Sequence, residues 1–272
     1  MIARGRYKGG DSVPFTPSHI AAVIPMIAAS HRIRRFVDPW ALALGAMVPD
    51  IPVFLTAVPF LPDYTDWHSW LGVVTIDPLA VLILLPLFHL VLRDPLIALL
   101  PPSLAGRAAL LAPDRLRLVP MIVGGVLGAA THVLWDSFTH STGPAEWGAW
   151  LSISVFGVIK LFRLLQYVSS AVGLAVVVWW AWRGLSGMEP APVPERLRVS
   201  ARTRRTVVAA SCAGLVFGAL FYPFISEPNP KFGIAAVITK MGAGTVIGLA
   251  VVLLCYAVVW QVRRRVAVSG RA

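Results

Sequence analysis

The densest group of chemically useful side chains lies in the segment from Thr131 to His140. His132, Asp136 and His140 are spaced four residues apart, so on an α-helix they form one narrow stripe on one face. Neighbours in this stripe are about 6 Å apart, and its two ends are about 12 Å apart. His132 and Asp136 can therefore bind one metal ion together, whereas His140 would serve a second ion, a proton-transfer step or neither.

Further ionisable residues interrupt apolar stretches of the sequence. Asp50 lies between Pro49 and Pro52, which would open a helix and free backbone carbonyls. An ionisable group at membrane depth costs about 2.5–3.5 kcal/mol on insertion scales, so each one requires a structural or functional reason. Three more lie inside or near the ends of apolar stretches: Asp77, His89 and Lys240. The structural alternatives are a helix cap for Asp77, a packing role for His89 and, for Lys240, a side chain that reaches the membrane surface.

The composition assigns these residues to a membrane protein. The 272-residue chain is 57% hydrophobic and only 14% charged, with a mean hydropathy of +0.74. These values exclude a water-soluble domain, a disordered chain, a collagen and a coiled coil. The net charge of +11 does not indicate nucleic-acid binding, because the basic residues follow the ends of apolar stretches. Cys212 and Cys255 lie inside apolar stretches, so no disulfide framework is expected.

Six apolar stretches are long enough to cross a bilayer, which takes about 20 residues. They are residues 40–60, 71–92, 118–138, 164–182, 206–225 and 234–260. A seventh stretch, 15–30, is shorter and contains Pro17 and Pro25, so it is either a tilted span or a half-helix. The expected fold class is all-α, a polytopic transmembrane helical bundle with six or seven spans.

The distribution of lysine and arginine orients these spans. Arginines concentrate in the segment 183–205 and in the tail after residue 260, so both segments and the C-terminus are expected in the cytoplasm. Four regions follow: an upstream extension or disordered tail (1–13), a membrane bundle (14–182), a basic cytoplasmic linker (183–205) and a two-helix membrane hairpin with a basic tail (206–272). If the stretch 15–30 also spans the membrane, the N-terminus lies outside, where basic residues are not expected. Translation from Val13, which we hypothesise, would remove these basic residues.

This topology brings the polar residues together near the external face. Asp136 and His140 lie at the outer end of one span, and His68 lies at the outer start of another. His19 joins them if the first stretch enters from outside, and Asp50 lies deeper. Imidazole and carboxylate ligands suit zinc or another divalent transition metal, and a site open on one side leaves room for an activated water. A proton relay and an interhelical hydrogen-bond cluster remain as alternatives.

Four motifs, in this order, resemble a family of bacterial membrane proteins, the domain of unknown function 4184. They are Pro14-Phe15-Thr16-Pro17-Ser18-His19, Gly45-Ala46-Met47-Val48-Pro49-Asp50, His68-Ser69-Trp70-Leu71-Gly72 and Thr131-His132-Val133-Leu134-Trp135-Asp136-Ser137-Phe138-Thr139-His140. More distantly, the pattern is similar to membrane-bound metal-dependent hydrolases and to the zinc-dependent phospholipase C and P1 nuclease group. That likeness implies that His132 and Asp136 ligate zinc, with His19, Asp50 and His68 completing the site.

These observations lead to a functional hypothesis for a multi-pass protein of the bacterial inner membrane. We expect a metal-dependent hydrolase of a phosphoester or lipid-linked substrate at the outer face, with zinc as cofactor and His140 or Asp50 accepting a proton. The expected partners are the lipid bilayer and such a substrate. Nucleic acid is not expected, and the oligomeric state is left open. The alternatives are a proton-coupled transporter that uses Asp50, Asp77 and the histidine stripe as a relay, and a structural membrane protein.

Overall fold

Long apolar runs fold as helices in a bilayer, because a helix satisfies its own backbone N–H and C=O groups where water is absent. The computed structural model of the protein describes residues 16–33, 35–55, 61–111, 115–228, 230 and 233–269. These residues are mainly helical, as predicted, and include one short antiparallel pair of strands, β1 (Ser154–Val155) and β2 (Ile159–Lys160). The predicted upstream extension, 1–13, lies outside the described residues, as do Pro14 and Phe15 of the first motif.

Short helices dominate the first part of the chain and long helices the second. The first part contains a 3-10 helix (Thr16–His19), α1 (Ile20–Ile33), α2 (Pro39–Gly45), a 3-10 helix (Val48–Asp50), α3 (Ile51–Phe54), α4 (Tyr64–Trp67), α5 (Trp70–Val74), α6 (Ile76–Leu87), a π-helical segment (Phe88–Leu92), α7 (Arg93–Leu99) and α8 (Pro102–Ala109). The second part contains α9 (Leu118–Thr139), α10 (Gly143–Trp147), a 3-10 helix (Ala149–Ser152), the two strands, α11 (Leu161–Gly187), a 3-10 helix (Glu195–Leu197), α12 (Ala201–Ile225) and α13 (Gly233–Ser269).

Five helices among the described residues make this a membrane protein by their length and apolar composition. They are Ile76–Leu99, Leu118–Thr139, Leu161–Gly187, Ala201–Ile225 and Ala236–Arg264. Thr16–Ala29 and Pro39–Phe54 are apolar but shorter, so the count of six or seven spans stays a prediction. The stretch predicted as the span 40–60 is interrupted, because α2 ends at Gly45 and each of the two short helices that follow begins around a proline, Pro49 or Pro52.

The chain forms two compact units. The first unit takes its residues from 1–85, 116–180 and 229–239, and the second from 86–115, 181–228 and 240–272. All residues that the sequence assigns to the metal site and to proton transfer belong to the first unit: His19, Asp50, His68, His132, Asp136 and His140. The division into extension, bundle, linker and hairpin stays a prediction.

Close packing of α2 against α9 organises the first unit. A Cβ atom on Gly45 would lie 2.5 Å from the carbonyl oxygen of Gly125, and one on Gly128 would collide with the backbone of Leu42. The two backbones therefore approach each other at a crossing that accepts no side chain at these positions, in line with the four-residue spacing of Gly124 and Gly128. This crossing brings the turn that follows α2 alongside the polar stripe of α9.

Helices α12 and α13 of the second unit pack through another set of glycines. A Cβ atom on Gly214 would lie 2.8 Å from the carbonyl oxygen of Gly248, and Gly218 and Gly244 face each other in the same way. Pairs of small residues four positions apart favour such contacts between membrane helices. These glycines therefore allow the two helices to pack closely.

The second unit also contains a group of charged residues, which we call the arginine cluster: Arg93, Asp94, Arg196 and Arg264. Arg93 Nη1 lies 3.1 Å from Asp94 Oδ1, and the other carboxylate oxygen, Oδ2, lies 3.3 Å from Arg196 Nε and 3.5 Å from Arg264 Nη1. Arg93 also donates to the carbonyl oxygen of Ala109 at 2.9 Å. Both oxygens of this single carboxylate are thus paired.

Candidate metal centre

His132 of α9 is held in one orientation by the backbone of the turn after α2. Its Nδ1 lies 2.8 Å from the carbonyl oxygen of Ala46, and the side chain is fully buried. A carbonyl oxygen only accepts hydrogen bonds, so Nδ1 carries a proton and is the donor in this bond. The Nε2 atom of the same ring lies 3.2 Å from Asp136 Oδ2 and 3.6 Å from Asp50 Oδ1. The close helix crossing therefore directs Nε2 of His132 at two carboxylates.

Asp50 lies at the end of the 3-10 helix Val48–Asp50 and is completely buried. One of its oxygens, Oδ2, accepts a hydrogen bond from Thr16 Oγ1 at 2.7 Å. This bond fixes the carboxylate and leaves Oδ1 facing His132. The helix is interrupted around Pro49, and this break positions the carboxylate of Asp50 beside His132.

His68 follows α4 and contributes a second imidazole. Its Nδ1 donates to the carbonyl oxygen of Tyr64 at 3.1 Å, and the Tyr64 ring stacks on it with a centroid distance of 3.7 Å. Its Nε2 then lies 3.5 Å from Asp136 Oδ2 and 3.8 Å from Asp50 Oδ1. The His68 side chain is 12% exposed, more than Asp50, His132 or Asp136, so the centre opens on this side.

His19 reaches the same centre from the end of the first 3-10 helix. Its Nε2 lies 3.5 Å from Asp136 Oδ1, and its ring stacks on the ring of His132 with a centroid distance of 3.8 Å. The two carboxylates and three imidazoles that the likeness to zinc enzymes implied as ligands are therefore together in the first unit. Their role as ligands stays a prediction.

Five nitrogen and oxygen atoms that could serve as ligands have no hydrogen-bond partner among the described residues, although all are buried. They are Asp50 Oδ1, His68 Nε2, His132 Nε2, Asp136 Oδ1 and Asp136 Oδ2. These atoms belong to four residues, Asp50, His68, His132 and Asp136. One nitrogen or oxygen atom from each residue can be chosen so that all four lie within 4.8 Å of one another. Buried polar groups are almost always paired, so a set that converges without partners requires an explanation.

The separations between these atoms fit a shared divalent ion. Two ligands at about 2.1 Å from a tetrahedral ion are about 3.4 Å apart. The nitrogen–oxygen separations between the four residues are 3.2, 3.5, 3.6 and 3.8 Å. A set of two imidazoles and two carboxylates suits zinc or another divalent transition metal. The buried group of Asp50, His68, His132 and Asp136 can therefore hold a metal ion.

His140 lies beside this centre, but both of its ring nitrogens are already engaged. Its Nδ1 lies 3.1 Å from the carbonyl oxygen of Asp136, and Gln166 of α11 lies 3.3 Å from its Nε2. The same Nδ1 is 3.6 Å from Asp136 Oδ2. These contacts suit a residue that orients Asp136, and the catalytic role that the sequence suggested for His140 stays a prediction.

Two supporting residues were missed by reasoning from the sequence. Thr16 belongs to the first motif, three positions before His19, and that position was the only available signal for it. Gln166 is a buried polar residue of α11, and its position inside the predicted span 164–182 was its only signal in the sequence. Both act through contacts with residues far along the chain, Thr16 with Asp50 and Gln166 with His140.

The remaining candidates lie outside the group of potential ligands. Asp77 is completely buried in the first turn of α6, and neither of its carboxylate oxygens has a hydrogen-bond partner in the described part of the chain. A capping bond from Asp77 is thus not formed. Lys240 donates to Ser226 Oγ at 2.7 Å, which agrees with a structural interpretation. His89 lies in the π-helical segment Phe88–Leu92.

The fold and the centre define a class of protein: an integral membrane protein of apolar helices that encloses a buried group of imidazoles and carboxylates. The chain belongs to the family described as Domain of unknown function (DUF4184), whose model matches residues 13–258. The family resemblance predicted from the four motifs is thereby confirmed. No curated protein and no solved structure matches the chain.

Proposed function

We propose that this protein is a metal-dependent hydrolase of a bacterial inner membrane. In this proposal it acts on a phosphoester or lipid-linked substrate at the outer face, and its C-terminus lies in the cytoplasm. The observation that carries the proposal is the convergence of five buried ligand atoms without hydrogen-bond partners among the described residues. The distant likeness of the motifs to metal-dependent hydrolases supports the same chemistry.

Asp50, His68, His132 and Asp136 would hold the ion, and zinc suits this ligand set best. Three of the four are oriented by hydrogen bonds that leave the inward atom available, from Thr16 to Asp50, from His68 to Tyr64 and from His132 to Ala46. Metal-binding imidazoles commonly donate their other N–H to a carbonyl or carboxylate in this way. The chain therefore provides the supporting contacts of a metal site as well as its ligands.

A zinc ion held here would act as a Lewis acid and would lower the pKa of a water molecule toward neutrality. The side chains beside it would then move the proton and orient the reacting groups. His19 Nε2, which lies 3.5 Å from Asp136 Oδ1, is the residue that we assign as proton acceptor. Asp136 would stabilise the resulting imidazolium. His140 and Gln166 would act as positioning residues through Asp136.

Access to the centre favours a substrate that reaches it at the membrane surface. The centre lies within the last two turns of α9, close to the end of that helix. His68, its most exposed ligand, is followed closely by Trp70, which is 61% exposed. Tryptophan side chains concentrate where a membrane meets water. A phosphoester in a lipid headgroup would lie at this depth.

The direct test is a hydrolysis assay on the full chain, purified in detergent and returned to phospholipid nanodiscs. Two probes are used, bis(p-nitrophenyl) phosphate in solution and phospholipid in the disc. We expect zinc-dependent release of product from at least one probe, loss of activity with a chelator and recovery with added zinc. Asp136→Ala should lower the rate at least about 100-fold, because a ligand is lost.

The matched control is Glu195→Gln, which removes an exposed carboxylate of the second unit and should leave the rate unchanged. His19→Gln should retain zinc but lose most of the activity and the acidic limb of its pH profile. Equal rates in wild type and Asp136→Ala would overturn the proposal, as would a zinc-loaded protein that hydrolyses neither probe. Proton uptake coupled to transport in such an inactive protein would then favour the carrier that the sequence left as an alternative.

A further inference from the structure

A small β-hairpin in the first unit presents apolar side chains at its tip. Strands β1 and β2 pair antiparallel, Ser154 opposite Lys160, and Val158 N–H donates to the carbonyl oxygen of Val155 at 3.2 Å across the turn. Phe156 has φ 52° and Gly157 has φ 73°, so both central residues of the turn have left-handed backbone. Glycine adopts this conformation at little cost, but phenylalanine does not.

The tip is almost completely exposed. Phe156 is 91% exposed and Val158 is 89% exposed. An asparagine or glycine would suit the turn better, and a polar residue would suit water better, so neither folding nor solubility explains a phenylalanine here. Exposed apolar side chains that are grouped in this way mark a surface that contacts another apolar phase or molecule.

The flanking helices fix where this hairpin lies relative to a bilayer. It belongs to the connection between α9 and α11, and both helices are long and apolar enough to cross a membrane. The connection therefore lies at a single membrane surface, whichever way the chain is oriented. Asp136 lies one turn before the end of α9, so this surface is the one nearest to the metal centre.

The residues around the tip have the composition of a membrane interface. Trp147 and Trp150 are 43% and 48% exposed, and their indole N–H groups donate to Ser137 Oγ and to the carbonyl oxygen of Trp147. Lys160, at the base of the hairpin, donates to Ser154 Oγ at 3.0 Å. Two tryptophans and a lysine beside an apolar tip match the composition of the layer where lipid headgroups meet acyl chains.

We propose that the tip of this hairpin, Phe156 to Val158, inserts into the lipid at the membrane surface nearest to the metal centre. Phe156 and Val158 contact the acyl chains, and Lys160 pairs with a lipid phosphate. The lipid surface is the favoured occupant because the exposed face of α11 continues from the hairpin with exposed Tyr167 and Val168. This proposal does not depend on bound metal or on hydrolase activity.

Spin-label accessibility measures the insertion directly. Single cysteines replace Phe156, Val158 or, as the control, exposed Glu146 of the same connection, in a Cys212→Ser, Cys255→Ser background. Each variant is labelled with a nitroxide and placed in phosphatidylcholine–phosphatidylglycerol nanodiscs that hold one copy of the chain. We expect labels at 156 and 158 to collide several-fold more with oxygen than with a water-soluble nickel chelate, and the label at 146 to show the reverse.

Equal collision ratios at all three positions would overturn the proposal. Labels at 156 and 158 that are shielded from both reagents would also overturn it. So would labels that broaden each other's spectra in discs loaded with two copies, because the hairpin tip would then contact a second chain. A monodisperse elution profile and an unchanged tryptophan spectrum keep each variant interpretable as folded protein.

Discussion

Two clusters in the described part of the chain use a carboxylate in opposite ways. In the arginine cluster of the second unit, both oxygens of Asp94 are paired with guanidinium groups. In the metal centre of the first unit, both oxygens of Asp136 lack hydrogen-bond partners among the described residues and face the imidazoles of His19, His68 and His132. Both clusters belong to segments of a membrane protein, where polar groups are costly.

This contrast separates structural from functional burial of charge. A carboxylate that receives donors on both oxygens has no free ligand atom, so its removal should affect stability. Asp50 and Asp136 each keep an oxygen without a hydrogen-bond partner among the described residues, and such an oxygen stays available as a ligand. A metal ion is a partner that these two carboxylates can share with the imidazoles of His68 and His132.

Removal of one carboxylate from each cluster should have different consequences. In Asp136→Ala we expect the affinity for zinc to fall at least about 100-fold, because the carboxylate that contacts all the imidazoles is lost. In Asp94→Ala we expect unchanged zinc affinity but a free energy of unfolding lower by about 3 kcal/mol, because buried Arg93 loses the carboxylate that balances its charge. Zinc titration and denaturant melts in detergent measure both quantities. Loss of zinc binding in both variants would erase the distinction.

Acidification should weaken the metal centre and leave the arginine cluster intact. An imidazole binds a metal only in its neutral form, and imidazoles take up protons as the pH falls from 7.5 to 5.5. Two of the four proposed ligands are histidines, so the zinc affinity should fall as the pH is lowered, whereas an Arg–Asp pair keeps its charges. Zinc titrations at several pH values give the slope. An affinity independent of pH would exclude imidazole ligands.

The hydroxyl that supports Asp50 should have a smaller effect. Thr16→Val removes the hydrogen bond to Asp50 Oδ2 while keeping the shape of the side chain, and we expect about 10-fold weaker zinc binding. Thr75→Val is the matched control, because the Thr75 hydroxyl donates only within its own turn, to Leu71. The same loss in both variants would mean that Thr16 has no specific role.

The smallest effect is expected at the exposed edge of the arginine cluster. Arg264 is about half exposed, so its ion pair with Asp94 is screened by solvent. Arg264→Ala should lower the free energy of unfolding by less than about 1 kcal/mol and should not change zinc binding. Denaturant melts at low and high salt measure this difference. A loss as large as that of Asp94→Ala would show that the cluster depends on its exposed arginines.

Periodicity was sufficient to predict the stripe on α9, because four-residue spacing fixes which side chains share a helix face. Charge distribution then predicted that His68 would meet this stripe, and His19 also if the first stretch enters from outside, whereas the likeness to zinc enzymes implied Asp50. These side chains do lie together. The break in the stretch 40–60 was harder to predict, since Pro49 and Pro52 are compatible with a kinked span as well as with separate short helices.

The supporting contacts were not predictable from the sequence. The carbonyl of Ala46 has no side-chain signature, and Gln166 meets His140 only because α11 packs beside the end of α9. Likewise, Arg93 directly follows the apolar stretch 71–92, but it is buried in α7, where Asp94 and two carbonyl oxygens of α8 accept its hydrogen bonds. Such contacts depend on how helices pack, which one sequence does not specify.

X-ray absorption at the zinc edge on the zinc-loaded protein tests the central claim most directly. The four-residue centre predicts about one zinc per chain, with only nitrogen and oxygen neighbours at about 2.0–2.2 Å and the scattering pattern of imidazole. His132→Ala should retain no zinc above background. A sulfur neighbour at about 2.3 Å, which would point to Cys212 or Cys255, or a wild-type chain that retains no zinc, would contradict the account.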